Sequence, residues 1–358
     1  MVAMRSLQKV HIALDATYSL GRNLSGVGVY SREILFGLAR SHPQDDFLFC
    51  YRPHRWLRSF RDVLPRNAAR RVLYGAPKAD VFHALNQRVD SPARRTVTTF
   101  HDLFVITGEY STPEFRARFT EQARQAARRS DLIIAVSRFT AHQVEEFLGV
   151  EPSRIRVIPH GVRTPPEAVL PNTSRQNTSR QNLVLFVGAL QRRKNVARLV
   201  RAFERMPASW RLALAGAADG YGAAEELRAV ENSPRKSAID VLGYVTQTEL
   251  DALYRRARIF AFPSLDEGFG MPVLDAMANS VPVVTSQRSA LPEVAGDAAL
   301  LVNPDDPEEI AAALVRLASD ETLSADLARR GRERVRQFSW ESTLAQTWEV
   351  YGELTAVS

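Results

Sequence analysis

Short apolar runs alternate with amphipathic stretches along nearly the whole chain. In the first part they fall at residues 10–14, 47–51, 81–84, 96–100, 132–136 and 155–159, with helix-like segments such as 29–40 and 113–129 between them. The rhythm starts again at 183–187 and continues at 211–215, 239–242, 259–262, 282–285 and 299–302. Short unbroken apolar runs read as strands buried on both faces. Their interleaving with helical segments predicts α/β layers around mainly parallel sheets. A last stretch, 339–351, is rich in aromatic residues and reads as a closing helix.

Between the two series the rhythm stops. Asn172-Thr-Ser-Arg-Gln is followed at once by the same five residues from Asn177. This polar tandem has no apolar period and reads as a flexible linker. The division expected is an N-terminal unit over 1–165, a linker over 166–182, a C-terminal unit over 183–338 and a terminal helix over 339–358. A chain of 358 residues is comfortable for two domains.

Composition adds three points. The single cysteine, Cys50, excludes an internal disulfide, fits a reducing compartment and belongs to an apolar run where packing is its expected role. The start lacks the apolar region of a signal peptide, and no run approaches the roughly 20 residues that cross a bilayer. The expectation is a cytoplasmic protein, peripheral at most to the inner face of a membrane. Charge is uneven: residues 1–165 hold 25 Lys+Arg against 15 Asp+Glu, and the remainder holds 22 against 25. Such an asymmetry points to an anionic surface as partner of the first unit.

The densest chemistry lies at 263–278. An apolar run ends at Pro263, Glu267 opens a turn carrying Gly268 and Gly270, and Asp275 follows Glu267 by eight positions. The glycines permit a tight turn and close approach to a ligand. Pro272 suits the first turn of a helix, and 273–278 are good helix formers. Both carboxylates then stand at the carboxyl end of a strand, where open α/β sheets bind ligands. Amides of the turn and helix start suit an anion, and the carboxylates suit sugar hydroxyls, so the pair points to a sugar nucleotide. Two solvated acids at a strand–turn–helix corner would give the same spacing. At the head of the second series, a strand runs into Gly188 and a loop with Arg192, Arg193 and Lys194 before a helix near Asn195. Cations at the positive end of a helix dipole are unfavourable unless an anion such as a diphosphate uses both charges and amides. A solvated basic turn is the alternative.

Taken together, these segments resemble the glycosyltransferases of family 4, whose GT-B fold sets two Rossmann-like domains with parallel sheets about a central cleft. From Glu267 onward the chain matches the family's E-G-F-G-x-P-x-x-E-A-M-A at every fixed position except the last acid, which is Asp275. Residues 187–195 match V-G-x-L-x-x-R-K-N, with Ala189 where many members carry arginine. Residues 242–245 resemble a G-Y-V turn whose backbone reads the base. The resemblance covers about residues 10–350. It implies that Gly28, Gly188, Arg193 and Lys194 meet the donor diphosphate. Gly243, Tyr244, Glu267, Gly268, Phe269, Gly270, Leu274 and Asp275 would meet the sugar and nucleoside, with Glu267 on ring hydroxyls and Asp275 on the ribose diol.

In the first unit, Gly26-x-Gly28 lacks the third glycine of a dinucleotide fingerprint, since position 31 is serine, and a lone G-x-G is weak support for NAD. It matches the family's S-G-x-G-x-Y loop, which implies that Gly26, Gly28 and Tyr30 form an acceptor-side loop before a helix opening near residue 29. His101-Asp102-Leu103 ends another run and matches the acceptor-domain signature, which implies a catalytic group of His101, Asp102 and Glu267, with His101 orienting the transferred sugar. His83 reads as cleft lining and His160 as structural.

The family retains anomeric configuration, by front-face attack in which the leaving phosphate takes the acceptor's proton. Cations and loop amides would stabilise the departing charge, and closure would exclude water. No Cys/His cluster or D-x-D triad is evident in the sequence, so no metal or other cofactor is expected beyond the nucleotide-sugar substrate. The Arg-Lys-Asn form of the loop resembles mannosyltransferases of bacterial surface polysaccharides. GDP-mannose is therefore the first donor expected, UDP-sugars the next, and a glycan or lipid-linked molecule the acceptor. A sugar-nucleotide epimerase of the same shape lacks its expected carboxylate and histidine pattern here, while Asp275 and Ala189 keep open a binding protein without turnover. No nucleic-acid module is recognisable. Finally, Trp56, Phe60, Val63 and Leu64 fall at helical spacing with Arg55, Arg58 and Arg61 along another side. An interfacial element docking on anionic lipid and an amphipathic helix packed on its own sheet both fit.

Overall fold

The computed structural model describes residues 9–21, 23–163 and 180–356. Among these residues the chain forms two parallel sheets. The first holds β1 (His11–Asp15), β2 (Asp46–Tyr51), β3 (Ala68–Val72), β4 (Val81–Ala84), β5 (Thr96–Phe100), β6 (Leu132–Ala135) and β7 (Ile155–Val157), in the order β3-β2-β1-β4-β5-β6-β7. The second holds β8 (Leu183–Val187), β9 (Arg211–Ala215), β10 (Ile239–Gly243), β11 (Ile259–Phe262), β12 (Val283–Ser286) and β13 (Ala299–Val302), in the order β10-β9-β8-β11-β12-β13. Every neighbouring pair is parallel.

Strand alternation explains why the apolar runs are unbroken. Ile12 and Leu14 enter the core on one face of β1 while Ala13 enters the core on the other. Each sheet reverses its winding once, between β1 and β4 and between β8 and β11. At such a switch point the loops after two adjacent strands part to opposite faces and leave a crevice at their carboxyl ends. The loop after β8 carries Arg193 and Lys194, and the turn after β11 carries Glu267, so both flank one crevice.

Several boundaries differ from the sequence reading. The edge strand β3, Ala-Ala-Arg-Arg-Val, has no apolar run and was not foreseen, since an edge strand need bury only part of its surface. Residues Gly26, Gly28 and Tyr30 do not form a loop. The helix Gly26–Ser41 already begins at Gly26, because Ser25 Oγ caps it by accepting from the Gly28 N–H at 3.4 Å. A Cβ on Gly26 would come within 2.7 Å of Met271 Cε, the movable end of a flexible side chain from the second unit. The basic segment is α-helical only over Trp56–Ser59, after a 3-10 turn at Pro53–Arg55. Trp56 and Leu64 pack on the core, but Leu57, Phe60 and Val63 are 82%, 58% and 92% exposed. The reading of one apolar face packed on its own sheet therefore fails for Phe60 and Val63.

The helix Trp340–Thr355, capped by Ser339, packs on the first sheet's core through Trp340, Val350 and Tyr351. Cys50 is fully buried, and burial pushes its thiol up to about 12. The tandem pentapeptide, up to residue 179, lies outside the described residues. No helix among the described residues is long and apolar enough to cross a membrane.

Candidate active site

β8 runs into Gly188 at φ +155°, a conformation L side chains avoid. After β9, Gly216 stands so close that a Cβ on it would overlap the Gly188 carbonyl oxygen. The loop then makes a tight turn over Arg192–Lys194 and reaches Asn195 at φ +61°. Asn195 Nδ2 donates to the carbonyls of Pro263, 2.9 Å away, and Pro304, 2.7 Å away. The Leu265 N–H donates to the Arg193 carbonyl at 2.8 Å. Basic loop and acidic turn are thus bound to each other through the backbone.

That joining brings Glu267 between two cations. Lys194 Nζ lies 2.6 Å from one carboxylate oxygen and Arg193 Nη1 lies 2.9 Å from the other. All three side chains are buried. Burial alone would raise the Glu267 carboxyl, but Arg193 and Lys194 outweigh it and hold the group at about 2. Burial pushes Lys194 down to about 8 against the upward pull of Glu267. For Arg193, burial lowers the pKa and Glu267 raises it further, so it stays charged. The guanidinium also lies 4.2 Å from the Phe104 ring centroid, and Lys194 Nζ lies 4.7 Å from that of Phe262.

The turn after Glu267 touches the first unit directly. A Cβ on Gly268 would overlap the His101 carbonyl oxygen, and Ser137 Oγ donates to the Gly268 carbonyl at 2.7 Å. Thr140 Oγ1 donates to the same carbonyl at 3.1 Å. Glu293 caps the helix Arg138–Leu148 from the other unit, accepting from the N–H groups of Arg138 at 2.9 Å and Phe139 at 3.2 Å. The rings of Tyr30, His101, His160, Phe269 and Trp340 form one aromatic cluster across this contact. Phe269 is buried in it, so its ring serves the contact between units.

His101 is buried and neutral: burial lowers its pKa to about 4. Nε2 faces the Leu85 carbonyl at 2.9 Å and therefore carries the proton, leaving Nδ1 to accept from His160 Nε2 at 3.4 Å. Both ring nitrogens are engaged within the protein. Burial raises the Asp102 carboxyl to about 6, with Arg193 lowering and Glu267 raising it.

Asp275, on the helix Met271–Ala278, is raised to about 7 by burial. Leu274 on the same helix is fully buried in the core. Gly270, at φ +105°, starts that helix. Gly243, at φ +64°, ends β10 and accepts from the Gly216 N–H at 2.8 Å, which links it to Gly188. Tyr244 is 46% exposed beyond it.

Two sequence readings need correction. His83 is not cleft lining: it is fully buried, with Nδ1 2.6 Å from Tyr351 Oη and Nε2 2.8 Å from Thr99 Oγ1. The amides at the start of Val196–Phe203 are not open to a diphosphate either. Glu226 accepts from the Ala197 N–H at 2.6 Å, so a protein carboxylate takes the anion's place. The sequence reading names Asn195 only as the end of its motif, and it misses Gly216, Ser137, Glu226, Glu293 and Asp266. Gly216 follows β9 as Gly188 follows β8, and Ser137 stands at an N-cap position, so those two had a signal. Glu226 and Glu293 had none, because the helix starts they cap are distant in sequence.

Comparison with known proteins identifies the family and the fold. Residues 18–164 match the family model described as Glycosyltransferase Family 4, and residues 172–334 match Glycosyl transferases group 1. The chain is 33% identical over 284 residues to the O-antigen chain mannosyltransferase B of Escherichia coli, covering 76% of this chain and 74% of that one. It is 32% identical over 244 residues to the MMP alpha-(1->4)-mannosyltransferase of Mycolicibacterium hassiacum, covering 66% of this chain and 58% of the relative. Sucrose-phosphate synthase from Thermosynechococcus elongatus superposes over 98% of this chain and 100% of its own with a TM-score of 0.80, and at 20% identity it speaks for the fold alone. Two parallel-sheet units, a cation loop and acidic turn on one switch point, and these relatives make the chain a glycosyltransferase of family 4 with the GT-B fold.

Proposed function

We propose that the chain transfers mannose from GDP-mannose, with retention of configuration, to a glycan or lipid-linked acceptor of a cell-surface polysaccharide. The observation that carries the reading is the buried Glu267–Arg193–Lys194 group on the β8/β11 crevice, supported by the likeness to an O-antigen chain mannosyltransferase. An incoming diphosphate offers the two cations a second anionic partner, and Glu267, held ionised, turns its lone pairs to sugar hydroxyls. The bond from the anomeric carbon to the diphosphate then breaks as the acceptor oxygen bonds to the same face. The acceptor's proton passes to the departing phosphate oxygen. Arg193 and Lys194 stabilise the charge that develops there, the role a metal ion plays elsewhere. Asp275, Gly243 and Tyr244 meet the nucleoside. Incubating the protein with GDP-mannose and neutral glycoside acceptors, and reading the product's anomeric coupling by NMR, tests this. An α-mannoside is expected. A β-mannoside, or product from UDP-glucose but not GDP-mannose, overturns it.

The same reading includes a peripheral contact with anionic lipid. Leu57, Phe60 and Val63 are exposed large apolar side chains beside the exposed Arg58 and Arg61. Apolar groups that enter the headgroup region and arginines that meet anionic lipid are the two components of interfacial binding.

A further inference from the structure

Asp266, the residue before Glu267, lines a separate cleft of about 470 Å3, a volume in the range of small-molecule sites. One wall is a single face of the helix Arg138–Leu148, since Phe139, His142, Gln143, Glu146 and Phe147 follow i, i+3, i+4, i+7, i+8 spacing. Thr107 and Tyr110 complete the first unit's share of the lining. The second unit supplies Asp266, so the cleft is complete only where the two units meet.

Two oxygens in this lining are buried without a hydrogen-bond partner: Gln143 Oε1 and Asp266 Oδ1. Their residues are only 6% and 9% exposed. The other Asp266 oxygen accepts from Thr107 Oγ1 at 3.1 Å. A buried acceptor left unpaired costs free energy that a bound donor recovers. The lining therefore asks for hydroxyl or amide hydrogens. It has two carboxylates, Glu146 and Asp266, and neither Lys nor Arg, so a phosphate or uronate would meet like charge at close range. Tyr110, Phe139 and Phe147 offer apolar ring surface to the C–H faces of a pyranose.

We propose that this cleft holds the terminal sugar of the acceptor, and that this sugar is uncharged. The proposal rests on the donor lying at Glu267: a hydroxyl donated to Asp266 then stands one residue from the group that holds the donor sugar. The lipid or diphosphate portion of an acceptor would lie outside the cleft.

Saturation-transfer NMR on the full chain tests this with a panel of neutral methyl glycosides (mannoside, glucoside, galactoside, N-acetylglucosaminide) and with mannose 6-phosphate as the anionic counterpart. GDP binding is read on the same samples. At least one neutral glycoside is expected to bind. Gln143→Leu should weaken it about fivefold to tenfold, as loss of one hydrogen bond does, and Phe147→Ala, a change at a ring that is 37% exposed, should weaken it too. Both variants should keep the wild-type affinity for GDP. No binding by any neutral glycoside, equal binding in both variants, or equal binding of mannose 6-phosphate would overturn the proposal. A wild type that binds the glycoside but not GDP would support the cleft and sink the donor assignment alone.

Discussion

The backbone of Gly268 in the turn after β11 packs against the backbone of His101 at the end of β5, so closely that a Cβ on Gly268 would overlap the His101 carbonyl oxygen. Neither partner can move a side chain aside, because the contact is backbone to backbone. Ser137 and Thr140 hold the Gly268 carbonyl from the same direction. Closure of the two units is thus built around one glycine.

Gly268→Ala should therefore hold the units apart. A displacement of about 1 Å between reacting groups costs on the order of 100-fold in rate, and kcat is expected to fall by that order. Small-angle scattering should show an expanded particle. Full activity in the variant would mean that the closed contact is not the reactive state.

Glu267→Ala leaves two buried cations without their carboxylate, and breaking a buried pair this way costs roughly 3–5 kcal/mol. Urea denaturation at pH 7 should show a loss of that order. Since the Glu267 carboxyl is held at about 2, its stabilisation is complete above its unfolded value near 4.3 and is lost as pH falls through about 2. The gap between wild type and variant should close over that window. Pyrophosphate should raise the variant's melting temperature more than the wild type's, because it supplies the missing anion.

Lys194 is pushed down to about 8 by burial, with Glu267 pulling up, Arg193 down and Asp102 up. Its charge is present below that pH and is lost above it. Affinity for GDP is expected to fall as pH rises through about 8, and Lys194→Arg, which stays charged, should flatten the profile. A wild-type profile as flat as the variant's would remove Lys194 from the diphosphate site.

Liposome flotation checks the lipid contact. The wild type should float with phosphatidylglycerol vesicles at low salt and be released at high salt. Replacing Leu57, Phe60 and Val63 together by serine should abolish flotation without loss of melting temperature, because these side chains are already exposed. Flotation unchanged in the triple variant would assign the contact elsewhere.

How much of this was legible in the sequence follows from what each residue buries. Residues 183–187 and 259–262 read correctly as strands because both faces of those strands are buried, which leaves an unbroken apolar run. The turn at Gly268 and Gly270 and the cation loop were visible as ordered motifs. β3 was not, because an edge strand can carry Arg70 and Arg71. The helix begins at Gly26, three residues before the expected start: glycine is a poor helix former, and the Ser25 cap overrides that preference. His83 could not be assigned, since its partners Tyr351 and Thr99 come from distant parts of the chain. The capping of one helix by Glu226 and another by Glu293 is likewise a tertiary fact.

Calorimetric titration of the full chain with GDP-mannose, in the wild type and in Lys194→Ala, tests the central claim most directly. The account predicts binding by GDP and GDP-mannose, weaker binding by UDP-glucose, and at least a tenfold loss in Lys194→Ala, the cost of about 1.4 kcal/mol. No nucleotide binding at millimolar concentration, or binding indifferent to Lys194, would contradict a donor site built on Arg193, Lys194 and Glu267.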